Sequence, residues 1–265
     1  MNFKDIMVHD LKQVRTQSPL VHNITNYVVM NTTANALLAI GASPVMAHAI
    51  EEVRDMVSIA SSLVINMGTL SEKWVEAMMI ACETAHKKGI PVIFDPVGVG
   101  ATPYRDQVAS CITIQGKPSV IRGNASEIMA LSKESVTTKG VDSTLASSSA
   151  VDAAKRLSLK TGAIVVISGE TDFITDGHNL RMVKNGSELM PKVTGMGCTA
   201  TAILGAFAAV NANFLYAAVS AMAVMGVAGE LASKQANGPG SLQMHFLDRL
   251  YNLTGEDLIE HAIVE

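Results

Sequence analysis

Val193-Thr194-Gly195-Met196-Gly197-Cys198-Thr199-Ala200 sets two glycines and a cysteine at the mouth of a run of small residues, Ala200 to Ala209. That run, with Ile203, Leu204 and Phe207 among its alanines, reads as a buried helix. Glycines ahead of it let the backbone turn tightly and aim several N–H groups at one point. The helix macrodipole adds roughly half a positive charge there, so an anion, or an oxygen that becomes anionic during a reaction, is the natural occupant. Cys198 falls in the first turn, where a thiol ionises more readily than elsewhere. The plainer account of the same residues is a turn that needs glycine for geometry alone and a cysteine that is buried and inert.

Moving outward, the chain supplies what such a helix must pack against. Its 265 residues are 48% hydrophobic and only 17% charged, which fills a large core and leaves little surface to solvate. That balance points to burial against other subunits. A net charge of −4 and a pI near 6.0 argue against nucleic acid or a polybasic membrane contact. Cys82, Cys111 and Cys198 form no C-x-x-C pair and no zinc spacing, as suits a reducing cytoplasm. No secretory signal opens the chain, since Lys4, Asp5, His9, Asp10 and Lys12 lie within an amphipathic pattern. Thr199 to Ala236 is apolar but built from Ala, Gly, Ser and Thr, and Asn211 and Asn213 interrupt it. Two buried helices are expected there, not a membrane span.

Short apolar runs alternate with amphipathic segments along the rest of the chain. Strands are expected at Leu63–Asn66, Ile90–Phe94, Ser119–Arg122 and Ala163–Ile167, with an extended piece over Ser18–Asn26. Pro44 makes Ala42–Ala47 an edge strand, because proline lacks the donor a central strand needs. Helices are expected over Val28–Ile40, capped by Thr25 or Asn26, and over Glu51–Ser61. Others start at Ser71, after Pro103 and at Asn124, and one runs over Ala150–Lys160. Ser132 to Ser149 reads as a polar loop, and Phe173–Val183 as a hairpin around Asp176-Gly177. A last pair of helices covers Phe214–Ala236 and the stretch to Tyr251. The alternation predicts an α/β fold: one domain, 1–265, with a mostly parallel central sheet and helices on both faces.

Ligands of such sheets sit at the carboxyl ends of the strands. Five positions there are polar or glycine: Asn66-Met67-Gly68, Asp95-Pro96, Arg122-Gly123-Asn124, Ser168-Gly169 and Thr194-Gly195. This is the pattern of a small-molecule enzyme. Gly195-x-Gly197-x-x-Ala200 matches the dinucleotide fingerprint only superficially, because the first acid after Cys198 is Glu230, and no P-loop motif occurs. Asn124-x-x-Glu127 is a capping box by spacing. It also sets Glu127 near Asp95, two carboxylates able to hold Mg²⁺ directly or through waters, and spacing does not separate the two roles. Arg122 suits a phosphate clamp or a surface ion pair. His22 and His48 lack a carboxylate partner and read as structural.

Six blocks together carry a resemblance. They are Pro19–Asn26, Ala39–Met46, Asn66–Leu70, Phe94–Ala101, Ile121–Ile128 and Val193–Cys198. In order and nearly end to end, they resemble the hydroxyethylthiazole kinase family of the ribokinase-like superfamily. The resemblance implies a ribokinase-like α/β fold without a lid domain, and ATP-dependent phosphorylation of the hydroxyl of 5-(2-hydroxyethyl)-4-methylthiazole in the salvage of thiamine precursors. It implies Mg²⁺, and a homotrimer with active sites between subunits. On the matching positions it places Met46, Asn26 and Gly195 at the substrate, Arg122, Ser168 and Thr194 at ATP, and Asp95 and Glu127 at the metal. Cys198 stands where ribokinase relatives usually carry an aspartate base. Met196 departs from the smaller residue usual between these glycines, and its side chain is expected to point away from the anion hole. A sibling kinase for a pyrimidine alcohol, a nucleotide sensor and a dehydrogenase are the competing readings.

Overall fold

The computed structural model describes residues 2–132 and 143–265. Eight strands form one sheet in the order β2-β1-β3-β4-β5-β6-β7-β8. In chain order they are β1 (Leu20–Ile24), β2 (Ser43–Val45), β3 (Ser62–Asn66), β4 (Val92–Asp95), β5 (Val120–Asn124), β6 (Ile164–Ser168), β7 (Asp172–Thr175) and β8 (Leu180–Val183). The first six run parallel, and β7 and β8 add an antiparallel edge. All eight belong to this one sheet, so among the described residues no strand builds a separate lid. Pro44 sits in β2 at the sheet's end, as its missing N–H requires.

Eleven α-helices are described: α1 (Phe3–Gln17), α2 (Met30–Ile40), α3 (Val53–Ile59), α4 (Glu72–Lys88), α5 (Pro103–Gln115), α6 (Ala125–Leu131), α7 (Ser143–Thr161), α8 (Met196–Val210), α9 (Phe214–Ser233), α10 (Pro239–Asn252) and α11 (Gly255–His261). Local signals set several boundaries. Ser71 caps α4 by accepting from Trp74 N, and Gly89 closes it at φ 77°. Thr102 caps α5 with Pro103 in its first turn.

Alternation along the strands divides the core in two. Val64, Ile93, Val120 and Val166 face α1, α2, α8, α9 and α10, while Leu63, Ile65, Phe94, Ile121 and Val165 face α4 to α7. Helix α8 is buried all round and lies against β1, β3 and β4. Gly205 permits that approach: a Cβ there would stand 2.7 Å from Val64 Cγ2.

Several expectations are corrected. Helix α7 begins at Ser143 rather than Ala150, so the polar stretch leading to Ala150 is helical and not a loop, and Ser148 and Ser149 are exposed on it. The rest of the expected polar loop, residues 133–142, lies outside the described residues. The expected hairpin around Asp176-Gly177 forms between β7 and β8, its turn running over Asp176–Asn179 with Asp176 accepting from both His178 N and Asn179 N. Beyond Tyr251, where no further helix is expected, the chain forms α11, started by a capping box between Thr254 and Asp257. The two buried helices expected over Thr199–Ala236 are α8 and α9; α9 is long and apolar enough to cross a membrane, and 78% of its most apolar 18-residue window is buried inside the protein.

Candidate active site

The parallel strands deliver their last polar residues to one end of the sheet. Register pairs Asn66 with Asp95 across β3 and β4, and Asn124 with Ser168 across β5 and β6. Asn26, two residues past β1, donates from Nδ2 to Asn66 Oδ1 at 2.9 Å, and the same nitrogen lies 3.4 Å from Cys198 Sγ. Asn66 Nδ2 donates to Asp95 Oδ2 at 2.9 Å, and the Thr201 hydroxyl donates to that oxygen at 2.7 Å. Arg122 Nη1 approaches it to 4.0 Å, and Arg122 Nη2 donates to Ser168 Oγ at 2.6 Å. One polar chain therefore runs from Cys198 to Ser168. Asn26 and Thr25 do not cap α2, whose first turn has no side-chain cap; the Asn26 amide is spent on this network instead.

Charge inside the network follows from burial. Asp95 is pushed up to about 6 by burial, with Glu127 adding to the shift and Arg122, Thr201 and Asn66 opposing it. Asp172 is likewise pushed up to about 6 by burial, against a hydrogen bond from Gly169 N. Cys198 moves opposite to the sequence expectation: burial first, then the Asp95 charge, raise its thiol to about 11, outweighing the lowering from Asn66, Asn26 and Arg122. Half-burial next to a carboxylate overrides the helix N-terminus, and the thiol is protonated at neutral pH.

The glycine stretch does form a turn into α8. Gly195 is the N-cap at φ 84°, where a Cβ would meet Val29 Cγ1 at 2.5 Å, so both backbone and space demand glycine. Gly197 faces Arg122, and a Cβ there would stand 2.9 Å from Nη1. The N–H groups of the first turn, Met196 to Cys198, have no acceptor within the helix. Met196 packs into the core, away from this opening, as expected. Thr194, however, is not a strand end: a 3₁₀ turn, Met190–Lys192, precedes it, and Thr194 itself is exposed. The place the sequence reading gave it among the strand ends belongs to Asn26.

Glu127 performs the capping-box role in full, since Oε2 accepts from Asn124 N and its backbone N–H donates to Asn124 Oδ1. Its other oxygen accepts from Gly98 N at 2.9 Å, which ties down the glycine loop after β4. Arg105 holds that loop from behind, donating to the carbonyls of Met67, Val97 and Gly68. Among the described residues no group of three or more His, Cys, Asp or Glu could enclose a metal. Two carboxylates fit Mg²⁺, which is held by one or two carboxylates, waters and substrate phosphates in place of an all-protein cage.

Met46 lies one residue beyond β2, at the sheet edge away from Arg122. Two histidines hold that segment: His22 Nε2 donates to Ala47 O at 2.7 Å, and His48 Nδ1 donates to Met46 O at 3.3 Å. The His48 ring meets Trp74 edge-on, and Tyr27 stacks on Trp74 while remaining 66% exposed. Asn66, Thr201 and Arg105 were missed as site residues. Asn66 is recognisable in the sequence only as a polar strand end, and Thr201 and Arg105 carry no local signal. A separate cleft of about 860 Å³, lined by Lys117, Thr161, Asp176, Arg181, Asn213 and Tyr216 among others, opens at the other end of the sheet, away from this chemistry.

A mostly parallel sheet with a buried carboxylate, a buried guanidinium and a glycine-turned helix N-terminus at its strand ends defines an α/β phosphotransferase of the ribokinase-like fold. A ribokinase-like superfamily protein from Enterococcus faecalis superposes with a TM-score of 0.65 at 15% identity, covering 95% of each chain, a likeness of fold alone. Residues 11–256 match the model of the hydroxyethylthiazole kinase family. A hydroxyethylthiazole kinase from Syntrophus aciditrophicus is 59% identical over 249 residues, 94% of this chain and 92% of that one. The structure of a hydroxyethylthiazole kinase protein from Pyrococcus horikoshii gives a TM-score of 0.92 at 41% identity, covering 98% of both chains. The chain belongs to the hydroxyethylthiazole kinase family.

Proposed function

We propose that this strand-end site carries the ATP-dependent phosphorylation of the hydroxyl of 5-(2-hydroxyethyl)-4-methylthiazole, in cytoplasmic salvage of thiamine precursors, by a single domain spanning 1–265. The observation that carries the reading is the continuous polar chain from Cys198 through Asn26, Asn66 and Asp95 to Arg122 and Ser168. It joins an end suited to an alcohol to an end suited to a phosphate.

Met46, Asn26 and Gly195 contact the thiazole alcohol, and Arg122, Ser168 and Thr194 contact ATP. Arg122 is supported by burial and by a fork aimed at the α8 N-terminus, where its charge adds to that of the helix dipole. The N–H groups at Gly195 and Gly197 absorb charge on the phosphoryl oxygens. Asp95 and Glu127 would hold Mg²⁺, and the ion would supply neutralisation of phosphate charge. Cys198 accepts the alcohol's proton late. A thiol near 11 is thiolate in only roughly one molecule in ten thousand at pH 7. That small fraction suffices because a loose transition state asks little of a base.

A homotrimer with sites between subunits is supported by Tyr27 and Val28, 66% and 64% exposed beside Asn26, an apolar rim for a neighbour to cover. The test is ADP release coupled to a spectroscopic readout, with the thiazole alcohol or a hydroxymethylpyrimidine, with and without Mg²⁺. Thiazole-dependent and Mg²⁺-dependent ADP is expected; release only with the pyrimidine, or none, overturns the reading.

A further inference from the structure

Asn66 is 1% exposed, and both polar atoms of its side chain are engaged. Its orientation follows from one unambiguous donor. Gly68 N, a backbone N–H, lies 3.0 Å from one terminal atom, which must therefore be Oδ1. The other is Nδ2, and it faces Asp95 Oδ2 at 2.9 Å. Because Oδ1 accepts, the Asn26 atom 2.9 Å from it must be a donor, Nδ2, and that same nitrogen is the one against Cys198 Sγ. Gly68 also holds Asn26 in place, since a Cβ at 68 would stand 2.7 Å from Asn26 Nδ2. A single backbone amide thus dictates donor and acceptor through two asparagines to the sulfur on one side and the carboxylate on the other.

We propose that Asn66 is a positioning residue that sets hydrogen-bond direction at both Cys198 and Asp95, holding an N–H on the sulfur and an N–H on the carboxylate. With the sulfur accepting from Asn26, its own proton or lone pair is left to face the substrate alcohol. With Asp95 accepting from Asn66 and Thr201 on one oxygen, its other oxygen is left for cation or water. This rests on the assignment of Cys198 and Asp95 to the reacting end of the site.

The test combines steady-state kinetics with chemical labelling on Asn66→Ala, Asn66→Asp, Asn26→Ala and the double variant Asn66→Ala with Asn26→Ala. Asn66→Ala is expected to lower kcat about tenfold or more while KM for ATP stays within about twofold. Asn66→Asp, the same size, keeps an acceptor for Gly68 and Asn26 but turns an acceptor to Asp95, and it should also lose kcat. Adding Asn66→Ala to Asn26→Ala should cost at least about threefold less than Asn66→Ala alone, because the two act in series. Independently of turnover, mass-resolved alkylation of Cys198 by iodoacetamide at fixed pH should slow about threefold in Asn66→Ala and Asn26→Ala, as the sulfur loses its N–H donor.

Wild-type kcat in Asn66→Asp, fully multiplicative effects in the double variant, or unchanged alkylation overturns the proposal. Should Asn66→Ala fail to fold, Asn66→Asp and Asn26→Ala decide it. A wild-type protein inactive with either alcohol would overturn the function instead, and the alkylation rates would still decide Asn66.

Discussion

Arg122 and Gly197 touch so closely that a methyl group on Gly197 would stand 2.9 Å from Arg122 Nη1. The buried guanidinium of β5 is thereby pressed to the mouth of α8, and the size of one residue on the helix decides where the charge sits. Gly197→Ala should therefore push Arg122 aside and raise KM for ATP about tenfold. The same change removes a helical glycine and adds up to about 1 kcal/mol of helix stability. Thermal melting and ATP titration of one variant should move in opposite directions; an unchanged KM for ATP removes Arg122 from the nucleotide site.

Cys198 is raised to about 11 where an aspartate would titrate far lower. Cys198→Ala should lower kcat about tenfold, the modest loss expected of a weak base in a loose transition state. Cys198→Asp should retain or raise it. A Cys198→Ala enzyme turning over at the unmodified rate removes the base assignment.

Asp95 titrates near 6 in the folded chain and near 3.8 when unfolded, because burial penalises its charge. Between these values the folded state binds more protons than the unfolded one, so stability falls as pH rises through roughly 4 to 6. Asp95→Asn removes that penalty. Melting in EDTA should show the variant more stable than wild type at pH 8, by a margin that disappears near pH 4, while kcat is largely lost. A constant margin across that range would mean that Asp95 ionises normally.

Glu127 divides its oxygens between Gly98 N and Asn124 N. Glutamine offers only one acceptor oxygen, so Glu127→Gln should cost about 1 kcal/mol in unfolding. It should also raise the half-saturating Mg²⁺ concentration several-fold, about fivefold, as one of two carboxylates is lost. A stability loss with an unchanged Mg²⁺ dependence would leave Glu127 as a cap alone.

His22 is fully buried and kept neutral by that burial, with its Nε2–H on Ala47 O beside Met46. His22→Ala should raise KM for the thiazole alcohol about tenfold without changing KM for ATP, and His22→Gln, which keeps an N–H donor, should restore part of the loss. Equal changes in both KM values would show a general collapse of the strand ends.

Much of this was legible along the chain because the signals are local. Pro44 at the sheet edge, the helix starts at Ser71 and after Pro103, the Asn124–Glu127 box and the turn at Gly195 each rest on residues within a few positions of one another. The boundary of α7 was misjudged because serines that avoid the core are equally at home on a helix's wet face. Thr194 was misplaced because a glycine turn into a helix looks the same whether a strand or a 3₁₀ turn precedes it.

The sequence by itself determined the alternating α/β architecture, the residues presented at the strand ends and the family, since periodicity, capping and motif order are properties of neighbouring residues. Only the tertiary structure decided what those residues do to each other. Asn26, Asn66, Asp95 and Cys198 are far apart in sequence, and their hydrogen-bond directions depend on contacts of about 3 Å that exist only after the sheet assembles. The same holds for the thiol at the opening stretch. A helix N-terminus alone favours the thiolate, but burial beside Asp95 reverses the sign, and both are supplied by packing.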